Sequence, residues 1–229
     1  MNENTKIECY HGTSKERANS ILIEGFKNSQ IGNWLGKGVY FYENIYYAIE
    51  WGIIYFLENS DILYTEYTKK CAIIKAVLDW NRFELLDLND PVGYKYYLKI
   101  VEEIKSRFPK RIESIKKGKD IEIIRLIEEI ERETGEKYIS MFDILIANYP
   151  KDIYKKGKKG VEGNFLPCIQ KQICVKNQDV IEKIENIDLE ECDIKQNFDI
   201  IKENREEYEN EKQCRAIRKA IRKDKKYSR

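Results

Sequence analysis

Along the chain the spacing of apolar positions changes period several times, and each change predicts an element. Lys6–Tyr10 has the pattern of a short strand, which His11-Gly12-Thr13-Ser14 should break. Ser14 then caps a helix that carries Ala18, Ile21 and Leu22 at helical spacing, and Gly25 closes it. A loop bearing Gly32, Gly36 and Gly38 leads into a strand over Val39–Tyr42. Asn44 caps a second helix, with Ala48, Trp51, Ile54 and Tyr55 or Phe56 as its inner stripe. Cys71–Leu78 is apolar and β-branched enough for a buried strand. From about 92 to 148 the pattern turns helical, with Tyr96–Arg107 followed by Ile121–Glu133, where Ile123, Ile127 and Ile130 share a face. A strand pair is expected near Phe165–Cys168 and Gln172–Lys176. The organisation this implies is a domain over 1–180, with a helical insertion at about 90–148, and a charged helical extension over 181–229.

Composition narrows the class. Of the 229 residues 42% are apolar, enough for a sizeable core, while 41 Lys+Arg against 40 Asp+Glu point to no partner. No apolar run approaches the roughly 18 residues of a membrane span, and MNENTKIECY lacks the layout of an export signal, so a cytoplasmic protein without a membrane partner is expected. Six cysteines without a CxxC pair, beside a single histidine, do not suit zinc and read as reduced thiols. Charge does separate locally. Residues 181–211 hold 12 acidic and 4 basic side chains, 212–229 hold 9 basic ones, and two basic loops lie at Lys116–Lys119 and Lys155–Lys159. Such features suit either a solvated surface or contact with nucleic acid.

Two clusters carry candidate chemistry. Tyr10-His11-Gly12-Thr13 places the only histidine next to a glycine where a strand meets a helix. Gly36-Lys37-Gly38-Val39-Tyr40-Phe41-Tyr42 runs from two glycines into a strand whose alternation should turn Tyr40 and Phe41 to opposite sides. One ring would face a cleft, its hydroxyl available for a bond, and the other the core.

Together YHGTSKERANSILIEGF at 10–26 and GKGVYF at 36–41 resemble the ADP-ribosyltransferase superfamily, in particular its diphtheria-toxin and poly(ADP-ribose)-polymerase branch. The match covers residues 7–52, with a weaker one at 165–177. The resemblance implies a mixed α/β fold, with two small twisted, mostly antiparallel sheets around an NAD cleft. The 30 Lys and 34 Ile, a bias of AT-rich coding sequence, point to a small bacterial or phage member. The resemblance implies that His11 bonds the adenine-side ribose of NAD. The Gly12 backbone would hold the nicotinamide carboxamide, with Thr13 beside it. Tyr40 would stack on the nicotinamide ring and Trp51 would cover its other face. Ala48 stands where the family often has a serine. Gln172, in Gln172-Ile173-Cys174-Val175, stands where strongly active members have a glutamate. A neutral amide orients the ribose but offers no charge to the transition state. The resemblance therefore implies mono-ADP-ribosylation with NAD as co-substrate and no metal. Glu162 and Glu43 are candidate replacements for the carboxylate, and Gln170 is a candidate acceptor-recognition residue. The acceptor would be a nucleic acid or a protein, with nucleic acid favoured by the basic features. A toxin or phage-defence role, with an antitoxin or regulatory partner, would fit. A non-catalytic NAD or ADP-ribose module and an NAD glycohydrolase are the other two expectations.

Overall fold

Strand β1 (Lys6–Ser14) runs straight through the His-Gly-Thr segment instead of stopping at Tyr10. It is held along its whole length by β3 (Cys71–Asp79), in a register that pairs His11 with Ile74 and Gly12 with Ile73. A glycine survives inside this central strand because another backbone passes close to it. The computed structural model describes residues 6–29, 33–56, 63–113, 120–150, 169–190 and 194–203.

Helix α1 (Lys15–Glu24) begins where the sequence places it: the Ser14 hydroxyl accepts from Arg17 N–H, and Gly25 ends the helix at φ +82°. Strand β2 (Val39–Tyr42) and helix α2 (Ile45–Phe56) follow, with the Asn44 side chain accepting from Tyr46 N–H. The buried face of α2 carries Ala48, Ile49 and Ile53 rather than a stripe through Trp51, which is only half-buried. Helix α3 (Tyr64–Lys70) leads into β3.

The middle of the chain departs from a purely helical insertion. Strand β4 (Leu85–Asp87) is parallel to β5 (Ile144–Pro150), and the helices α4 (Pro91–Arg107), α5 (Pro109–Glu113) and α6 (Asp120–Thr134) form the crossover between them. Ile144, Leu145, Ile146 and Ala147 are all buried. A short run that is apolar on both faces reads equally as a buried helix or a central strand, so periodicity could not separate the two. Asp90 caps α4 by accepting from Val92 and Gly93 N–H, with Pro91 in the first turn.

The described strands form one sheet, in the order β4-β5-β6-β2-β1-β3-β7, with β6 as Ile169–Val175 and β7 as Ile181–Asn186. This replaces the two small sheets expected from sequence, and every pairing except β4–β5 is antiparallel. Within this one sheet the β1–β2 junction is a weak seam. β1 and β2 share one paired position, Tyr10 with Tyr42, whereas β1 and β3 are paired from end to end. Residues 181–186, expected in a charged helical extension, are an edge strand on β3. Helix α7 (194–203) packs Ile194, Phe198 and Ile201 onto α2 and α3. The segment 165–168, both basic loops and the basic tail lie outside the described residues.

Three buried clusters sit around the sheet. One joins α1 to Phe41, Ile74 and Ile173, one packs the crossover helices on Leu145 and Cys174, and one packs α2 and α7 on Ile73. Among the described residues no helix is long and apolar enough to cross a membrane.

Candidate functional site

The seam between β1 and β2 is where side chains replace backbone pairing. Past Tyr10 the two strands diverge, and the His11 imidazole fills the gap with Nδ1 2.8 Å from the carbonyl oxygen of Tyr40. A carbonyl can only accept, so Nδ1 carries the proton and Nε2 of the neutral ring is an acceptor. Two edge-on rings hold the imidazole in place: Phe26 at 5.3 Å and Phe41 at 5.9 Å between centroids. Phe26 and Phe41 in turn pack edge to face at 5.1 Å. Phe26 was legible only as part of the Gly25-Phe26 motif, and its role against His11 comes from the fold.

Burial holds the pKa of His11 below its ordinary value, with the Arg17 charge acting in the same direction and the Tyr40 carbonyl opposing. The unfolded chain therefore takes up a proton near pH 6.5 while the native chain does not. Stability contributed by the neutral ring is complete above that pH and is lost as pH falls through the native value. As this is the only histidine, denaturant unfolding at stepped pH should show stability declining below about pH 6.5. The part of the decline above the carboxylate range, from about pH 6.5 to 5, should disappear in His11→Gln. Paired carboxylates such as Glu136, held low by Arg107, act only at lower pH. An identical slope in both proteins would show that His11 is not the titrating group.

A cleft of about 800 Å³ opens at this seam. It lies in the range of ligand-binding clefts, roughly 300–1,000 Å³. Three strands each contribute a pair of residues two apart: His11 and Thr13 from β1, Tyr40 and Tyr42 from β2, and Gln170 and Gln172 from β6. Trp51 reaches the cleft from α2. Of the six residues that the resemblance places on NAD, His11, Thr13, Tyr40, Trp51 and Gln172 thus line one cavity. Gly12 does not, because alternation along β1 turns it to the opposite face. There a Cβ would lie 2.1 Å from the carbonyl oxygen of Ala48 on α2. Ala48 is fully buried in that contact and is not part of the lining.

Phe41 is buried beside α1 while the half-buried Tyr40 faces the cleft, the split the alternation predicts. Its hydroxyl, expected to be available, is engaged: it donates to Gly36 O at 2.7 Å and accepts from Leu35 N–H at 2.9 Å. Burial raises its pKa further above the ordinary phenol range. Tyr40 is therefore a tethered ring, suited to stacking and not to proton transfer.

Gln172 is buried, and its amide is oriented at both ends. Its Oε1 accepts from Trp34 Nε1–H at 2.6 Å, and its Nε2–H donates to Gln170 Oε1 at 2.9 Å. Trp34 also lines the cleft and went unnoticed in the sequence, since nothing local marks a loop tryptophan as a partner of a residue on β6. Among the described residues no carboxylate lines the cleft. Glu43 is exposed, ion-paired with Lys171 at 3.2 Å and not part of the lining. Glu162 lies outside the described residues. Arg17 of α1 and Arg125 of α6 stand at the cleft, and Lys27, just after α1, lines it while ion-paired with Glu24 at 2.9 Å. Among the described residues no group of His, Cys, Asp and Glu could hold a metal ion.

No family model matches the chain. An uncharacterized protein of Methanocaldococcus jannaschii, MJ0359, is 32% identical over 203 residues, covering 81% of this chain and 89% of the relative.

Proposed function

The chain belongs to the same family as MJ0359, and from its cleft we propose that it is an NAD-dependent mono-ADP-ribosyltransferase. The observation that carries this reading is the convergence of His11, Tyr40 and Gln172, from three strands, on one cleft. The same three residues stand in the motifs that carry the resemblance to that superfamily. In the reaction proposed, the glycosidic C1′–N bond of NAD breaks and its electron pair passes to the nicotinamide nitrogen, which loses its positive charge. A nucleophilic atom of the acceptor bonds C1′, and its proton passes to water.

Each group has a part in this. The Nε2 acceptor of His11 takes a hydrogen bond from a ribose hydroxyl, while Phe26 and Phe41 hold the ring in place. Tyr40 offers a fixed face to the cationic ring, and Trp51, which lines the same cleft, would cover the other face. A cation stacked on an aromatic face gains about 0.5–2 kcal/mol. The amide of Gln172 orients the nicotinamide ribose. Arg17 and Arg125 complement the phosphates of the dinucleotide and favour a nucleic-acid acceptor, whose backbone carries the same charge. A second reading, a non-catalytic NAD or ADP-ribose module, is favoured by the absence of a carboxylate from the described lining.

Incubation with labelled NAD and cell extract tests both. Label entering nucleic acid or protein is the expected result. Release of free ADP-ribose alone identifies a glycohydrolase, and binding without cleavage identifies a module. Gln172→Glu sharpens the test. The Trp34 N–H would donate to the new carboxylate, and a flipped Gln170 amide could donate as well. The added negative charge should raise transfer about tenfold. Unchanged transfer would take Gln172 out of the machinery.

A further inference from the structure

The loop 33–38 carries Trp34 into the cleft and holds the Tyr40 hydroxyl; Ser29 holds its end at Gly38, and its middle is supported by the crossover helix α6. Leu35 is fully buried in the cluster that contains Ile124 and Ile127 of that helix. Lys37 N–H donates to Glu128 Oε1 at 2.8 Å. Gly36 adopts φ +86° directly against the same carboxylate, where a Cβ would lie 1.9 Å from Oε1. Glu128 is itself fixed by Lys176 at 3.0 Å, with side-chain exposures of only 9% and 12%. Its Oε2 is buried without a partner among the described residues. An incompletely satisfied buried carboxylate is costly, and here that cost is set against the bond that Oε1 accepts from Lys37 N–H. One turn earlier on α6, Arg125 reaches the cleft.

We infer that Glu128 is a positioning residue for the cleft, locking loop 33–38 so that the Trp34 indole stays on Gln172 and the Tyr40 ring stays at a fixed angle. The helical crossover, which lies outside the family resemblance, thereby becomes part of the site. Charge on Glu128 is not what the ligand feels. The residue acts through the Lys37 N–H it holds, and a neutral side chain of the same length and accepting oxygen should serve nearly as well. The NAD-binding reading enters only through the affinity measured below; the geometric claim is read from Trp34 directly.

The experiment uses the full chain labelled with ¹⁵N at its three tryptophans, 34, 51 and 80, with Trp34→Phe assigning the Trp34 indole resonance. Glu128→Gln keeps the acceptor for Lys37 and should leave that resonance and the NAD affinity within about threefold of wild type. The paired change Glu128→Met with Lys176→Met removes both charges at similar volume, a replacement that buried ion pairs often tolerate. It should move or split the Trp34 resonance, leave Trp80 unmoved and weaken NAD binding about tenfold or more. Glu128→Ala, read in the same way, serves where the paired variant does not fold. A Trp34 resonance unmoved in a folded variant lacking the Glu128 acceptor overturns the inference. Failure of the wild-type protein to bind NAD overturns the functional reading instead, and the Trp34 resonance still decides the role of Glu128.

Discussion

His11→Ala is expected to lower NAD binding and NAD-dependent turnover by about a hundredfold or more, measured by calorimetric titration and label transfer. Two losses combine. The ribose loses its acceptor, a bond worth on the order of 1–2 kcal/mol. The seam also loses the imidazole that stands in for a backbone donor at the Tyr40 carbonyl. With only Tyr10–Tyr42 pairing the two strands, β2 together with β6, to which Tyr40 is paired at Cys174, is then free to shift relative to β1. A displacement of about 1 Å in a positioned group is enough for a hundredfold loss. The empty space between Phe26 and Phe41 adds a cavity cost, so the melting temperature should fall as well. Turnover within threefold of wild type in folded His11→Ala would remove this residue from the site.

The larger effect on stability should come from Gly12→Ala, a change of one methyl group. The new Cβ would meet the Ala48 carbonyl oxygen at 2.1 Å, and because that atom is backbone no side chain can turn aside. Helix α2 would have to move off β1, opening the cluster of Ala48, Ile49 and Ile53 and carrying Trp51 away from the cleft. Overpacking of this kind costs about 1–3 kcal/mol and at times more. With backbone as the obstacle, a loss of at least about 3 kcal/mol is expected in denaturant unfolding. Gly25→Ala is the control. Nothing lies within 4 Å of its Cβ position, so only the strain of φ +82° is added, about 1 kcal/mol. Equal losses in the two variants would mean that β1 and α2 are not in the contact described.

These variants also separate what His-Gly says as a sequence from what it does in the fold. The motif singled out both residues together, yet they work on opposite faces of β1. His11 faces the seam, and Gly12 admits a helix. The resemblance assigned Gly12 to ligand contact through its backbone. Its demonstrable work is to let α2 approach.

Local sequence determined the elements whose signals are local. Ser14 and Gly25 bound α1 because capping uses atoms within a few residues of the helix end. The apolar period of Ile123, Ile127 and Ile130 marked α6, and alternation split Tyr40 from Phe41. Tertiary structure decided everything that depends on which strand lies beside which. Ile144–Ala147 became a central strand because β4 and β6 flank it, and residues 181–186 became a strand because the edge of β3 needed a partner. Trp34 meets Gln172, Glu128 meets Lys37, and Glu43 turns away to Lys171. Such contacts between residues far apart in the chain leave no periodic trace, since nothing in the neighbouring sequence must change to accommodate them. The sequence could therefore name His11, Tyr40 and Gln172, but only the fold could show that a seam between two strands brings them together.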